Sequence, residues 1–158
     1  DKYTAQAYIT TDKSSNQITT FHPGAMQHAN EIKIPDNGSI TLGIISPDGR
    51  DGMIEHTQQL IDMKVPYVFD PGQGMPMFNK EELVFFSDNA SWVVMNDYEF
   101  KMYNEMTGYT PADVIQNNKT LVITNGDQGS NIFTENKKLN ITTPKVDNPK
   151  DPNGCGDA

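Results

Sequence analysis

The sequence holds one cysteine, Cys155, in 158 residues. A lone thiol excludes an internal disulfide and points to a reducing compartment. No apolar run approaches the about 20 residues that a membrane-spanning helix needs, and no signal-peptide pattern opens the chain. A cytoplasmic location without a membrane partner is the expectation. Positive charge is also scarce. Twelve Lys+Arg stand against 21 Asp+Glu, a formal net charge of -9. The densest basic block is the pair Lys137-Lys138. Such a chain repels phosphate backbones, so nucleic acid is not an expected partner. His22, His28 and His56 lack the spacing of metal ligands. His56 reads as a surface or packing residue, and His22, at a strand end, as a packing residue or a ligand contact.

What remains is the material of one folded domain, with 35% hydrophobic residues. Residues 4–11 and 17–22 are rich in Thr, Ile, Tyr and Phe and read as two strands of a hairpin. Residues 25–31 read as a short helix. From residue 41 the pattern changes. Strands are expected at 41–46, 65–69, 92–95 and 120–124, with helices at 51–64, 79–87, 97–107 and 111–116 between them. Asn79 with Glu82 forms a capping pattern, Asn96 can cap the next helix, and Gly108 closes it. A second hairpin, 131–134 with 139–143, follows. The alternating strands are short and apolar on both faces. That pattern implies an α/β fold with a mainly parallel sheet covered by helices. Ligands of such sheets sit at the carboxyl ends of the strands. Here those ends lead into Ser46-Pro47-Asp48, Asp70-Pro71-Gly72, Asn96-Asp97-Tyr98-Glu99 and Thr124-Asn125-Gly126.

Three constellations could carry chemistry. In Asp151-Pro152-Asn153-Gly154-Cys155-Gly156-Asp157 the glycines let the backbone approach an anion, and Asp157 could take a proton from an attacking alcohol. The same stretch reads equally as a Gly-rich turn with a capping Asp, and Cys155 as a small packing residue. Asn96 and Glu99 are either a helix cap with its dipole partner or a carboxylate placed beside hydrated Mg²⁺. Thr124, Gly126 and Gly129 form either an ordinary turn or a set of donors to nucleotide phosphates. The Lys-Ser/Thr ending of a Walker loop is missing.

In this order the three motifs resemble the PfkB (ribokinase-like) family of sugar and nucleoside kinases. The opening residues 4–12, 16–19 and 21–26, with 46–53 and 69–74, are similar to its bacterial adenosine-kinase-like branch. The resemblance implies a three-layer α/β/α fold with the hairpin contributing to a lid. Residues 1–28 would then be lid and connection, and 29–158 a nucleotide-binding core that is incomplete at its C-terminal end. It implies transfer of the ATP γ-phosphoryl group to a primary hydroxyl of adenosine or a related sugar or nucleoside. Asp157 would be the base, and Gly154, Cys155 and Gly156 would supply amides to the transferred group. Asn96, Glu99, Thr124, Gly126 and Gly129 would bind the nucleotide, with Glu99 reaching Mg²⁺ through water. Asp151 would help hold a monovalent cation. Asn153 replaces the Thr that assists it in relatives, which counts against K⁺ activation. A homodimer through the lid is a further expectation. Because the chain opens on Asp1, lacks the acceptor-binding Gly-Gly motif and stops at Ala158, it is expected to be part of a longer kinase and inactive alone. A sugar kinase of the same family and a non-catalytic nucleotide-binding module are the alternatives.

Overall fold

The computed structural model describes residues 2–12 and 17–146. Asp151, Gly154, Cys155, Gly156 and Asp157 lie outside the described residues. Strands β1 (Gln6–Thr11) and β2 (Gln17–His22) pair antiparallel, with Gln6 opposite His22 and Thr11 opposite Gln17. This hairpin forms its own two-stranded sheet. A 3-10 turn, Gly24–Glu31, follows it, kinked at His28. The turn packs on the first helix, and the Ala25 amide donates to the Tyr3 carbonyl at 2.8 Å.

The second sheet has six strands in chain order: β3 (Gly43–Ile45), β4 (Tyr67–Phe69), β5 (Trp92–Asn96), β6 (Thr120–Thr124), β7 (Ser130–Thr134) and β8 (Lys137–Ile141). The first four run parallel and the last two antiparallel. Helices α1 (Arg50–Asp62), α2 (Lys80–Asn89), α3 (Asp97–Thr107) and α4 (Pro111–Val114) make the crossovers. Right-handed crossovers that always step to the next strand place every helix on one face. The buried strand residues agree with this. Ile45, Tyr67, Phe69, Val93, Met95, Leu121 and Ile123 alternate with less buried neighbours and join one core with Met53, Leu60, Leu83, Phe86, Tyr103 and Val114. Phe69 stacks on Phe86 at 4.9 Å, and Phe78 meets the same ring edge-on. The buried Tyr67 hydroxyl donates to the Phe86 carbonyl at 2.7 Å, tying β4 to α2.

The sheet is therefore mixed and mostly parallel, as the pattern implies. Its second face carries Ile44, Val68, Val94, Val122 and Ile132, and these stay partly or largely exposed among the described residues. Apolar residues on both faces state the need for two covers. The described residues supply one. Other differences are local. Residues 72–77, between the expected strand 65–69 and the expected helix 79–87, form a 3-10 turn that begins after Pro71. The helix expected to reach residue 116 stops at Val114, and Asn117 and Asn118 then adopt left-handed φ of 61° and 60°. No helix among the described residues is long and apolar enough to cross a membrane.

Candidate active site

The parallel strands β3 to β6 end side by side. Asn96 lies directly opposite Thr124 across β5 and β6. Both readings of the Asn96 motif meet here. The Asn96 side chain accepts from the Glu99 amide at 2.7 Å, and Glu99 Oε2 accepts from the Asn96 amide at 2.8 Å. This is a complete capping box at the start of α3. It also holds the Glu99 carboxylate at the strand-end rim through its Oε2.

Burial raises the pKa of Glu99 above the ordinary carboxylate range; the Asn96 amide opposes this, and the nearby Asp70 carboxylate adds to it. Asp70 directly follows β4, and its Oδ1 accepts from the Gly72 amide at 3.1 Å. The sequence marks Asp70 only as part of the rim. Its coupling to Glu99 is a tertiary fact. A half-buried carboxylate whose ionisation is made costlier by a second carboxylate nearby suits a hard divalent cation. No cluster of three or more His, Cys, Asp or Glu side chains forms a metal cage among the described residues. That donor set fits Mg²⁺ that keeps its waters and arrives with phosphates better than a resident ion.

Thr124 leads into a tight turn. Asn125 donates to the Gly129 carbonyl at 2.7 Å, Gln128 to the Asn125 carbonyl at 3.0 Å, and Gly129 to the Gly126 carbonyl at 3.1 Å. Residues Gly126–Gln128, expected as loop, form a 3-10 turn. Gly126 and Gly129 have φ of +55° and +88°. A Cβ on Gly129 would stand 1.9 Å from the Ile141 carbonyl oxygen, so only glycine fits. The exposed amides of Gly126 and Asp127 find no acceptor among the described residues. Such amides can receive an anion.

The structure thus brings Asn96, Glu99, Thr124, Gly126 and the Gly129 turn to one rim. The histidines lie elsewhere. His56 Nε2 contacts the Ile32 carbonyl at 2.9 Å, and His28 Nδ1 pairs with Glu31. His22 and His28 line a cavity of about 350 Å³ at the root of the hairpin, with Lys2, Tyr3 and Gln27. A second cavity, about 210 Å³, opens at the amino end of β6 beside Asp88 and the buried Lys119. Neither cavity is lined by the rim residues.

The sequence model of pfkB family carbohydrate kinases matches residues 1–158. The chain belongs to that family. Among pfkB relatives of known structure, the nucleoside kinase of Burkholderia thailandensis, in complex with inosine, superposes with a TM-score of 0.92 at 39% identity. The match covers 99% of this chain and 51% of that one. A nucleoside kinase of Methanocaldococcus jannaschii is 31% identical over all of this chain and 52% of its own length. Its structure superposes with a TM-score of 0.89. A ribokinase of Thermotoga maritima shares the fold, with a TM-score of 0.72 at 20% identity. The pfkB chain therefore spans about half the length of the relatives it matches.

Proposed function

We propose that the whole protein is a nucleoside kinase that moves the γ-phosphoryl group of ATP to the 5′-hydroxyl of adenosine or a related nucleoside. The observation that carries this reading is the rim itself. Asn96 and Glu99 stand opposite Thr124 and its glycine turn, in a chain 39% identical to a kinase that binds inosine. The Burkholderia enzyme has also been seen with ADP-inosine, which supports ATP as the donor.

In this mechanism Asp157 takes the proton of the acceptor hydroxyl as its oxygen attacks the γ-phosphorus. The amides of Gly154, Cys155 and Gly156 meet the charge on the transferred group. A loose phosphoryl-transfer transition state needs mainly position and charge stabilisation, which fixed donors supply. The Gly126–Gly129 turn and Thr124 bind the nucleotide. Asn96 fixes Glu99, and Glu99 with Asp70 would hold Mg²⁺ through water. Bound there, Mg²⁺ would neutralise phosphate charge. Asp151 contributes to a monovalent-cation site. The hairpin β1–β2 acts as a lid over the acceptor and excludes water that would otherwise consume ATP. Its exposed Tyr8, Ile9, Ile18 and Phe21 would also serve a lid-to-lid homodimer. Residues 1–158 alone would lack activity.

The test is ADP release by the full-length protein with Mg²⁺ and a panel of adenosine, inosine, other nucleosides, ribose and fructose. Nucleoside-dependent release that Asp157→Asn abolishes supports the proposal. A response to ribose or fructose alone replaces the acceptor and keeps the mechanism. Nucleotide binding with no acceptor-dependent release refutes a catalytic role.

A further inference from the structure

Residues 32–42 link the kinked turn below the hairpin to β3. Within this link Asn37, Gly38 and Ser39 are all exposed. The Asn37 side-chain oxygen accepts two hydrogen bonds from one neighbour, from the Ser39 amide at 3.0 Å and the Ser39 hydroxyl at 2.5 Å. Gly38 stands between them at φ +72°, and no atom lies within 4 Å of where its Cβ would be. Its amide donates to no group among the described residues.

We propose that Asn37-Gly38 is a spontaneous modification site, at which the local fold assists conversion of Asn37 to aspartate and isoaspartate. The Gly38 amide nitrogen loses its proton to solvent base and attacks Asn37 Cγ. A new N–C bond forms, and the carbonyl electron pair moves onto Oδ1. The two Ser39 donors are already aimed at that oxygen, as in an oxyanion hole. Collapse of the oxyanion breaks the Cγ–Nδ2 bond. Ammonia leaves with a proton from water, and a five-membered succinimide remains. Water then opens either imide carbonyl. One opening gives aspartate. The other gives isoaspartate, which routes the main chain through the former side chain. The balance is one water consumed and one ammonia released, with no oxidation.

Missing bulk at Gly38 lets the nucleophile approach, and the exposed position lets solvent base and water in. The other Asn-Gly pair among the described residues has the opposite surroundings. Asn125 is held in its turn by its amide and carbonyl, and its Nδ2 donates to the Ile123 carbonyl at 3.1 Å. Attack there requires the turn to open first. The structure thus orders the two sites, Asn37 before Asn125. The product would lengthen the backbone of the link between hairpin and sheet and add a negative charge to an already acidic chain.

The experiment incubates the full-length protein in mildly alkaline heavy-oxygen water and maps labelled aspartate and isoaspartate by peptide mass spectrometry. Label is expected at Asn37 well before Asn125. The rate at Asn37 in the folded protein should equal or exceed that of a free peptide spanning residues 32–42. Ser39→Ala removes the hydroxyl donor and keeps the amide, so it should slow the reaction about three- to tenfold, the worth of one hydrogen bond. Label at Asn125 first, a slower rate in the folded protein than in the peptide, or an unchanged rate in Ser39→Ala would each overturn the proposal.

Discussion

Asn96 and Glu99 hold each other, so a loss of activity on changing either could reflect the fold or the chemistry. Two substitutions separate these. Asn96→Ala removes the acceptor of the Glu99 amide bond, 2.7 Å long. Loss of an N-cap costs about 0.5–2 kcal/mol. The Glu99 amide is half-buried and gains only partial access to water, which places the cost in the upper part of that range, about 1–2 kcal/mol. Glu99→Gln keeps an oxygen for the Asn96 amide, since Gln also completes a capping box. It gives up an interaction with the helix dipole worth about 0.3–1 kcal/mol. It also removes the burial penalty and the repulsion from Asp70 that raise the Glu99 pKa. These contributions oppose each other, so stability should change by no more than about 0.5 kcal/mol. Phosphoryl transfer should fall about a hundredfold, the scale expected when a transition state is deprived of one electrostatic stabiliser. Denaturant midpoints and Mg²⁺-dependent nucleotide binding of the full-length variants give both readouts. If Glu99→Gln destabilises as much as Asn96→Ala and leaves Mg²⁺ dependence intact, the pair is a helix cap and the catalytic reading fails.

Gly129→Ala places a Cβ against the Ile141 carbonyl at a left-handed φ and should cost about 3 kcal/mol or more, whereas Gly126→Ala meets no atom within 4 Å and should cost about 1–2 kcal/mol; equal denaturant midpoints would contradict this. Burial pushes Tyr103 up to about 12 from 10, although its buried contact with the Ser87 hydroxyl at 2.6 Å opposes the shift. The fold therefore keeps this proton where the unfolded chain releases it, so stability is complete below pH 10 and declines as pH rises toward about 12. Tyr103→Phe should cost about 1 kcal/mol at neutral pH and make the alkaline decline shallower, read from unfolding curves across that window. In the proposed mechanism proton and Mg²⁺ would compete for Glu99, whose raised pKa keeps the proton to higher pH. Nucleotide affinity with Mg²⁺ should therefore weaken on acidification earlier than for an ordinary carboxylate, and Glu99→Gln should lose that component in calorimetric titrations.

Much of the fold is legible in the sequence where one local rule decides. Asn79 with Glu82 and Asn96 with Glu99 mark helix starts because a short polar side chain and a carboxylate three residues on satisfy each other. Gly108 marks a helix end because it takes φ of +80°. The misses arise where the deciding partner is distant. Helix 111–116 loses its last two residues ahead of two consecutive left-handed asparagines, a conformation that local propensity does not foretell. The coupling of Asp70 to Glu99 depends on neighbouring strand ends. Of the candidate site, the Asn96 and Thr124 motifs are legible because each is built from one strand end and the turn after it. The stretch from Asp151 to Asp157 is legible only as a motif, since it lies outside the described residues.

The rim also explains how a helix cap and a charged ligand site can be one structure. A parallel strand must be followed by a crossover helix, so the start of that helix lies at the strand's carboxyl end. Its cap needs a carboxylate three residues in, and its dipole favours negative charge there. Folding thus places a carboxylate at the sheet's ligand edge before any catalysis is asked of it. Glu99 Oε2 closes the cap, so the carboxylate stays at the strand end. The next strand, β6, ends differently. It returns antiparallel into β7, so a tight turn replaces the helix, and the amides of Gly126 and Asp127 stand where a helix cap would be. Adjacent strand ends therefore present different groups, a capped carboxylate at one and turn amides at the other. The change from parallel to antiparallel pairing at β6 is what produces that contrast.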